Sequence, residues 1–433
     1  MRLWSCIAAL AASGLYLSVT ASLPAQPPES GIRVARLIDR LGSKSYEDRK
    51  LASDELAKLG PEIRQQLDAA AQSDDPEVRV RARELLKRLK VLDLWAPAKV
   101  SYACQEEKAS VVVATLAKQT GNRLLIGDQY GMFQDSVVTL THPQGTFWQV
   151  LDDLCRQTNN HVRSHYDMRN PGLVVVSGGP GKNPIAYAGP VRAAVTSARR
   201  VFIEELDYED MASEKTHTFQ IHLQMMWEDR FRLVAYRSQP ELLEAVTDTK
   251  LNLSATQPAG SGWNVANQGT HQLSMEMRLH PPPIMAKQLD VLRLKWGLIA
   301  VGDMATLEVT DLKSPGPVFQ DDVEFTLESI QESPGARYEV TVVAGRDLVI
   351  PEPQEVLFQE NELDLIDDTG RPFRKQGQTN SLTERGARIR MNFAGESPDS
   401  KPKLLRFTYP RIRARHDLEI HFRNVPLPVA KPE

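Results

Sequence analysis

The apolar residues of this 433-residue chain change their spacing at a Gly- and Pro-rich stretch between residues 177 and 190. Before this stretch, apolar side chains recur mostly every three to four positions, as in amphipathic helices. After it they alternate with polar side chains, as in strands that bury one face. The pattern predicts a multidomain, mixed chain with helical and α+β segments first, a linker at 179–190, and antiparallel β domains last. The length also exceeds what one hydrophobic core usually supports.

The first residues have the three parts of a secretory signal. Arg2 precedes a mostly apolar run from Leu3 to Val19, and Ala21 provides the small residue before a cleavage site. This predicts a signal peptide over residues 1–21. An uncleaved anchor is the alternative, but the run is short and diluted by Ser and Gly. Because no later stretch of the sequence is long and apolar enough to span a bilayer, we expect an exported protein, periplasmic or extracellular, without a transmembrane segment in its mature chain.

The composition argues against several classes of function. The chain has 52 Lys and Arg against 56 Asp and Glu, a net charge of −4, which disfavours a dedicated nucleic-acid binder. Its three Cys are too few for a disulfide scaffold or a multi-cysteine metal cluster. No sequence motif for zinc, phosphate or dinucleotide binding is present. We therefore expect no cofactor and no metal site.

Residues 31–92 are predicted to form short amphipathic helices that end at Gly and begin at Pro. Two phrases, LASDELAKLGPEIRQQL and DDPEVRVRARELLKRL, resemble the two halves of a HEAT-type repeat. The resemblance covers about one and a half repeats and implies a short helical segment rather than a long concave groove. A basic row lies along the last helix and is either a solvated face or a docking surface for an acidic partner. Its docking candidates are Arg79, Arg83, Lys87 and Lys90.

Residues 98–178 alternate between strand and helix patterns in the order β-α-β-β-α-β-β. The phrases VSYACQEEKASVVVATLAKQTGNRLLI, SVVTLTHPQGTFWQVLDDLCRQTN and GLVVVSG resemble the short N-terminal domain of secretins and of signalling TonB-dependent receptors. In those families the domain is a periplasmic protein–protein contact module. The rest of this chain is too short and too hydrophilic to be a receptor barrel or a secretin pore, so the module is separated here from its usual machine.

Two cysteines fall on apolar faces of this segment. Cys104 lies on its first predicted strand and Cys155 on its second helix. Both could face one core, and exported proteins meet oxidants, so a disulfide between them is one prediction. Two buried, unbonded thiols are the alternative.

The remainder predicts two tandem antiparallel β-sandwich domains, 191–313 and 318–429. A faint internal repeat relates them, because Asp248-Thr249-Lys250 matches Asp368-Thr369-Gly370. An aspartic protease is an alternative reading of these turns, but the first copy lacks the Gly that such a site needs. Trp263 and Trp296 are candidates for stacking on sugars, and core tryptophans are the alternative.

The segment order and the phrase FRNVPLP at 422–428 resemble a group of exported bacterial envelope proteins without an assigned activity. No nucleophile, base and stabilising group converge in the sequence pattern. We therefore expect a non-catalytic protein-interaction or scaffolding module whose partner is an envelope protein or a cell-wall polymer. The alternatives are cell-wall or carbohydrate binding through the β domains, an accessory factor of a secretion or TonB-type system, and a hydrolase.

Overall fold

The structure, a computed structural model, describes residues 29–127, 132–165, 172–209, 213–258, 260, 262–267, 269–313, 316–321, 323–346, 362–384 and 386–428. The predicted signal peptide at 1–21 lies outside these ranges. The chain divides into two compact units, which meet in sequence at Leu89 and Lys90. Antiparallel strands dominate over helices in the described residues. None of the helices in these ranges has the length and apolar character needed to cross a membrane.

The described residues of the first unit form helices, as the spacing predicts. They are α1 (Glu29–Arg40), α2 (Tyr46–Leu59), a 3₁₀ turn (Gly60–Ile63), α3 (Arg64–Ala70) and the larger part of α4 (Pro76–Trp95). Ser45 caps α2 by accepting the Asp48 amide, and the Asp75 carboxylate accepts the Glu77 amide at 2.8 Å at the start of α4. These caps satisfy amides that have no partner within the helix. Leu41, Leu56 and Leu67 are fully buried between the helices.

The second unit begins with the predicted α+β segment. Its elements are β1 (Lys99–Lys108), α5 (Ala109–Thr120), β2 (Leu124–Ile126), α6 (Met132–Asp135), β3 (Val137–Thr146), α7 (Phe147–Gln157), β4 (Asn160–His165) and β5 (Gly172–Ser177). The order agrees with the sequence-based prediction, apart from the additional single turn α6. Strands β1 and β3 form one small sheet, and β2, β5 and β4 form another. Helices α5 and α7 bury Leu116, Phe147 and Trp148 in the core of this segment.

The stretch predicted as a linker is part of a sheet. Ile185–Ala188 forms β6, which pairs with the next strand through the tight turn at Gly189 and Pro190. The prediction of a linker over 179–190 is therefore wrong for its second half. The Gly and Pro residues there make a hairpin turn, which has the same composition as a linker.

The remaining strands form three sheets. In chain order they are β7 (Val191–Leu206), β8 (Ser213–Trp227), β9 (Arg232–Arg237), β10 (Glu241–Thr247), β11 (Trp263–Val265), β12 (Gln272–Leu279), β13 (Gln288–Val309), β14 (Val318–Gln320), β15 (Val323–Ser333), β16 (Arg337–Arg346), β17 (Glu362–Asp367), β18 (Arg374–Thr383), β19 (Gly386–Ala394) and β20 (Pro402–Pro426). The sheet orders are β12-β8-β7-β6, β14-β15-β16-β19-β18 and β11-β9-β13-β20-β17, with β10 also paired to β13.

Two of these sheets each pack against part of the third sheet, which contains the long strands β13 and β20. These strands pair in one unbroken register from Gln288↔Pro426 to Val309↔Leu405. The first core takes the first half of β13 together with the second half of β20, including Ile420 and Phe422. The second core takes the first half of β20 and the end of β13. The boundary predicted between 313 and 318 therefore does not separate the two cores, because β13 ends in the second core and β20 ends in the first.

The predicted internal repeat is visible in the strand order. Strands β6-β7-β8-β12 of one sheet correspond to β14-β15-β16-β19 of another. The two turns also match, since Leu253 donates to the Ala245 carbonyl and Phe373 donates to the Leu365 carbonyl, each at 2.8 Å. On β8 the buried residues Phe219, Ile221 and Leu223 occupy the positions that Tyr338, Val340 and Val342 occupy on β16.

Candidate functional site

The structure places the two candidate sugar-stacking tryptophans in different environments. Trp296 is 0% exposed and its indole N–H donates to the Arg237 carbonyl at 3.0 Å, so it is a core residue. The prediction that it stacks on sugars is wrong, because β13 points its ring into the first core. Trp263 is half-buried, and the guanidinium groups of Arg237 and Arg415 lie 4.6 and 5.3 Å from its ring centroid. These cations already occupy the surroundings of the ring.

The two candidate disulfide cysteines are free. The Cys104 thiol points to the Val138 carbonyl oxygen at 3.7 Å. Cys155 is buried on α7 beside Asp152 and Arg192, and burial raises the pKa of its thiol to about 12. The predicted disulfide is therefore not formed in the structure, where Cys155 is buried in the core and Cys104 packs against that core.

The candidate docking residues of α4 follow one another at helical spacing. Arg83 and Lys87 are exposed, whereas Arg79 donates to the Ser73 carbonyl oxygen at 2.6 Å and helps to end the preceding turn. Lys90, in the second unit, forms an ion pair with Asp303 at 2.7 Å. Two of the four basic side chains thus have structural partners within their own unit.

A cavity of about 530 Å³ lies where the α+β segment meets the β sheets. Charged and polar groups from both parts line it, among them Arg123, Asp229, Arg232, His271 and Glu362. Arg123 follows α5, and Asp229 follows the end of β8. The cavity therefore brings together ionisable side chains that the sequence-based boundaries assign to different domains.

Asp229 is the central carboxylate of the cavity wall. Its side chain is 5% exposed, and Arg123 donates to both of its oxygens at 3.0 and 3.1 Å. His271 lies 3.0 Å away through Nε2. Burial alone raises the pKa of a carboxyl group, but the hydrogen bonds from His271 and Arg123 outweigh it and lower the pKa of Asp229 to about 2.

The neighbouring Glu228 joins the same two parts of the chain. It is 0% exposed and accepts the Ala98 amide at 3.0 Å and the Arg230 guanidinium at 2.6 Å. Arg230 also donates to the Ala96 carbonyl, and its backbone amide donates to Asn122 at 3.0 Å. Burial raises the pKa of Glu228, and Arg230 opposes this effect. A buried carboxylate with these bonds fixes the start of β1 to the end of β8.

A second set of buried polar contacts joins α7 to the β6–β7 hairpin. Arg192 on β7 donates to the Asp152 carboxylate at 2.8 Å, and the Tyr187 hydroxyl donates to it at 2.6 Å. The Trp148 indole donates to the Pro190 carbonyl at 2.9 Å. Burial together with Asp152 raises the pKa of Tyr187. The α+β segment is thus fastened to the hairpin that follows it as well as to the end of β8.

The three arginines and three carboxylates that line the cavity all have partners of opposite charge. Arg232 pairs with Glu362 at 2.9 Å and Arg123 with Asp229 at 3.0 Å. Asp303 and Arg230 pair with Lys90 and Glu228, which are not among the lining residues. The wall therefore offers no excess of either sign to an ionic ligand. Within the described ranges, no group of three or more His, Cys, Asp and Glu is placed to hold a metal ion.

A second feature lies at the far end of the β7–β8 hairpin. We call residues 201–209 and 213–218 the β-ribbon. Strand β12 pairs with β8 only as far as Phe219, and β6 pairs with β7 only as far as Ala194. Among the described residues the β-ribbon strands therefore pair with each other alone. From Val201↔Thr218 to Leu206↔Ser213 they extend for about 20 Å.

Large apolar side chains on the β-ribbon are exposed. Phe202 is 72% and Tyr208 82% exposed, and Ile203 and Leu206 are also exposed. The Phe202 ring stacks on His217 with a centroid distance of 4.0 Å. The stretch from 201 to 217 carries six acidic residues and one lysine. The β-ribbon is thus both apolar and strongly acidic.

The second copy of the repeat provides an internal comparison. Its equivalent hairpin, β15–β16, turns at residues 334–336, directly after the pair Ser333↔Arg337. The matching pair in the first copy is Val201↔Thr218, beyond which the β-ribbon continues. The second copy completes its core without such an extension. The β-ribbon is therefore an addition that the fold itself does not require.

Sequence reasoning did not find the residues of the cavity wall or the β-ribbon. The string EDR at 228–230 is an ordinary charged stretch, and its burial depends on packing against a segment more than 100 residues earlier. The β-ribbon had a usable signal, because Val201 to Tyr208 combines apolar and acidic residues without Gly or Pro. Comparisons with models of protein families, with curated proteins and with solved structures return no match.

Proposed function

We propose that this chain is an exported, non-catalytic interaction scaffold of the cell envelope, with the β-ribbon as its recognition element. The observation that carries the proposal is the exposure of Phe202, Ile203, Leu206 and Tyr208 on an extension that the second copy of the repeat lacks. Exposed apolar side chains gathered on one element commonly mark an interaction site.

The polar contacts between the α+β segment and the sheets support the scaffold part of the proposal. Glu228 and Asp152 are both buried and both accept hydrogen bonds from more than one group. Breaking such contacts leaves buried charges without partners, which costs several kcal/mol. The segment is thus held in one orientation relative to the β-ribbon, as a scaffold requires. The resemblance of residues 98–178 to a periplasmic contact module agrees with this role.

The cavity supports a non-catalytic reading. A paired His and Asp is also part of hydrolase sites, where the His activates a hydroxyl or thiol. Here Nδ1 of His271 has no hydrogen-bonding partner among the described residues, and Arg123 neutralises the Asp229 carboxylate. Cell-wall binding through tryptophans loses support as well, because Trp296 is buried.

Site-specific photo-crosslinking in producing cells tests the proposal. A photoreactive phenylalanine replaces Phe202 in one strain and Phe319, which is 70% exposed on β14, in a control strain. We expect discrete adducts of higher mass at position 202 and none at position 319. Equal labelling at both positions, or no adduct at position 202, would contradict a recognition role for the β-ribbon.

A further inference from the structure

We infer that the free edge of the β-ribbon binds an extended, positively charged protein segment as an added β-strand. This inference rests on the proposed function and adds the chemistry of the partner. The edge is the side of β7 that faces away from β8; it runs from Val201 to Leu206 in the β-ribbon and continues back along β7 to Ser197. Within the described part of the chain, no strand pairs with it there.

The backbone of this edge provides the first argument. Each residue of a strand has an amide and a carbonyl group, and in an edge strand half of these groups point away from the sheet. Many proteins protect such an edge with a bulge, a proline or a covering loop. From 197 to 206 the strand has no Pro and no Gly, and the register shift between β7 and β8 lies before Ser197. The edge is thus regular enough to accept a further strand.

The side chains provide the second argument. On one face Phe202 and Leu206 flank Glu204, and on the other Ile203 lies beside Glu205. An added strand with apolar residues between lysines or arginines would cover the apolar side chains and pair with Glu205, whereas Glu204 already pairs with Lys215 on β8 at 3.1 Å. Cross-strand pairs of opposite charge stabilise a sheet, whereas like charges directly opposite destabilise it.

Charge also favours a basic strand over two other possible occupants of this edge, a second copy of the chain and an anionic lipid surface. A second copy of the β-ribbon would bring two acidic strands together, which the six acidic residues between 201 and 217 oppose. An anionic lipid surface would be repelled for the same reason. Arg200, at the base of the β-ribbon, keeps its positive charge, since the Pro282 and Pro283 carbonyls to which it donates at 2.8 and 3.0 Å are neutral. The six acidic residues that follow it outnumber Arg200 and Lys215.

Fluorescence anisotropy with the purified full chain tests this inference. The probes are an eight-residue peptide of alternating Lys and Val, the same peptide with Glu for Lys, and the Lys-Val peptide with alternate backbone amides methylated. We expect the first peptide to bind at least about tenfold more tightly than either of the others, since it alone has both the charge and the free amides.

Two variants locate the site. In the first, residues 202–217 are replaced by Pro-Gly-Ala, the turn that the second copy uses at 334–336, and this chain should fold but lose peptide binding. In the second, Glu205→Lys with Asp207→Lys, the preference for the Lys-Val peptide over the Glu-Val peptide should fall, because two of the six acidic residues become basic. Glu62→Lys with Asp68→Lys, on exposed helical residues of the first unit, is the matched control and should bind as the unaltered chain does.

Other outcomes would overturn the inference. Equal binding of the Lys and Glu peptides, or no effect of amide methylation, would exclude a basic added strand, while adducts at position 202 in cells would still support the proposed function. A dimer that becomes a monomer in the Pro-Gly-Ala variant would make a second copy the occupant. Binding to phosphatidylglycerol vesicles that depends on the β-ribbon would make a membrane surface the occupant. Failure of the crosslinking experiment as well would remove the proposed function.

Discussion

Asp229 and Glu228 are adjacent carboxylates whose surroundings shift their pKa values in opposite directions. Asp229 has two strong donors, Arg123 and His271, and its pKa falls to about 2. Glu228 is more deeply buried, and burial raises its pKa despite Arg230. Both residues lie in the turn that follows β8, where the Phe231 amide donates to the Glu228 carbonyl, and their side chains reach different partners. The Asp229 carboxylate reaches the cavity, and the Glu228 carboxylate reaches the Ala98 amide at the start of β1.

The depressed pKa of Asp229 predicts a pH-dependent contribution to stability. Because the folded pKa lies below the ordinary value, the contribution is present above about pH 4 and is lost as the pH falls toward 2. The difference between this pKa and that of an ordinary aspartate corresponds to about 2.5 kcal/mol of stability. We expect Asp229→Asn to lower the free energy of unfolding by about this amount at pH 7 and by little at pH 2. Urea unfolding at both pH values measures it, with Asp399→Asn, at an exposed position, as the control.

Gly189 lies in the β6–β7 hairpin turn, which was expected to be a linker, and there is no room there for a Cβ atom. Its φ is +51°, and a Cβ atom there would lie 2.5 Å from the Trp95 carbonyl oxygen. We expect Gly189→Ala to lower the free energy of unfolding by about 2 kcal/mol or more. Gly181 is the control, since its φ is +67° but the nearest atom to a Cβ would be 3.6 Å away. Equal losses in the two variants, measured by thermal unfolding, would mean that φ alone matters.

At the scale of elements, helices were predicted well because their signals are local. Thr146 caps α7 and Gln149 completes the capping box, and both lie within four residues of each other. The alternation of β8 was equally local, and Phe219, Ile221 and Leu223 are all buried. The strand β6 was missed because Gly and Pro are common to linkers and hairpin turns. The register that joins β13 to β20 connects residues 96 to 138 positions apart, and alternation alone does not specify it.

The tryptophans of β13 and β11 differ in burial, and we expect their substitution to cost different amounts of stability. Trp296 fills the first core, whereas Trp263 lies half-buried near Arg237 and Arg415. We expect Trp296→Ala to cost about 3–5 kcal/mol, because it leaves a large cavity. Trp263→Ala should cost clearly less, about 1 kcal/mol, the scale of a cation–π contact. Chemical unfolding of both variants measures the difference, and a cost for Trp263 as large as that for Trp296 would contradict these assignments.

At the scale of the whole second unit, the repeat and the shared sheet have one consequence. Each copy ends in a strand that continues into the core of the other, so neither copy is complete by itself. The first core takes Leu418, Ile420, Phe422, Val425 and Leu427 from the end of the chain. The sequence indicated two copies of one fold, because alternation and turn motifs repeat along the chain. It could not indicate that the last strands are exchanged, because the alternation simply continues through β13 and β20.

The exchanged strands predict that the copies cannot be separated at the boundary expected from the sequence. A fragment of residues 90–313 contains all of β13 but lacks β20, so one edge of β13 is left unpaired and the first core loses five buried apolar side chains. We expect this fragment to lack a cooperative unfolding transition and to aggregate. A fragment of residues 90–428 should unfold cooperatively, and adding residues 318–428 as a separate chain should restore the transition to 90–313. Circular dichroism and urea unfolding measure both. Cooperative unfolding of 90–313 alone would mean that its core does not need β20, since a two-state transition requires a formed core.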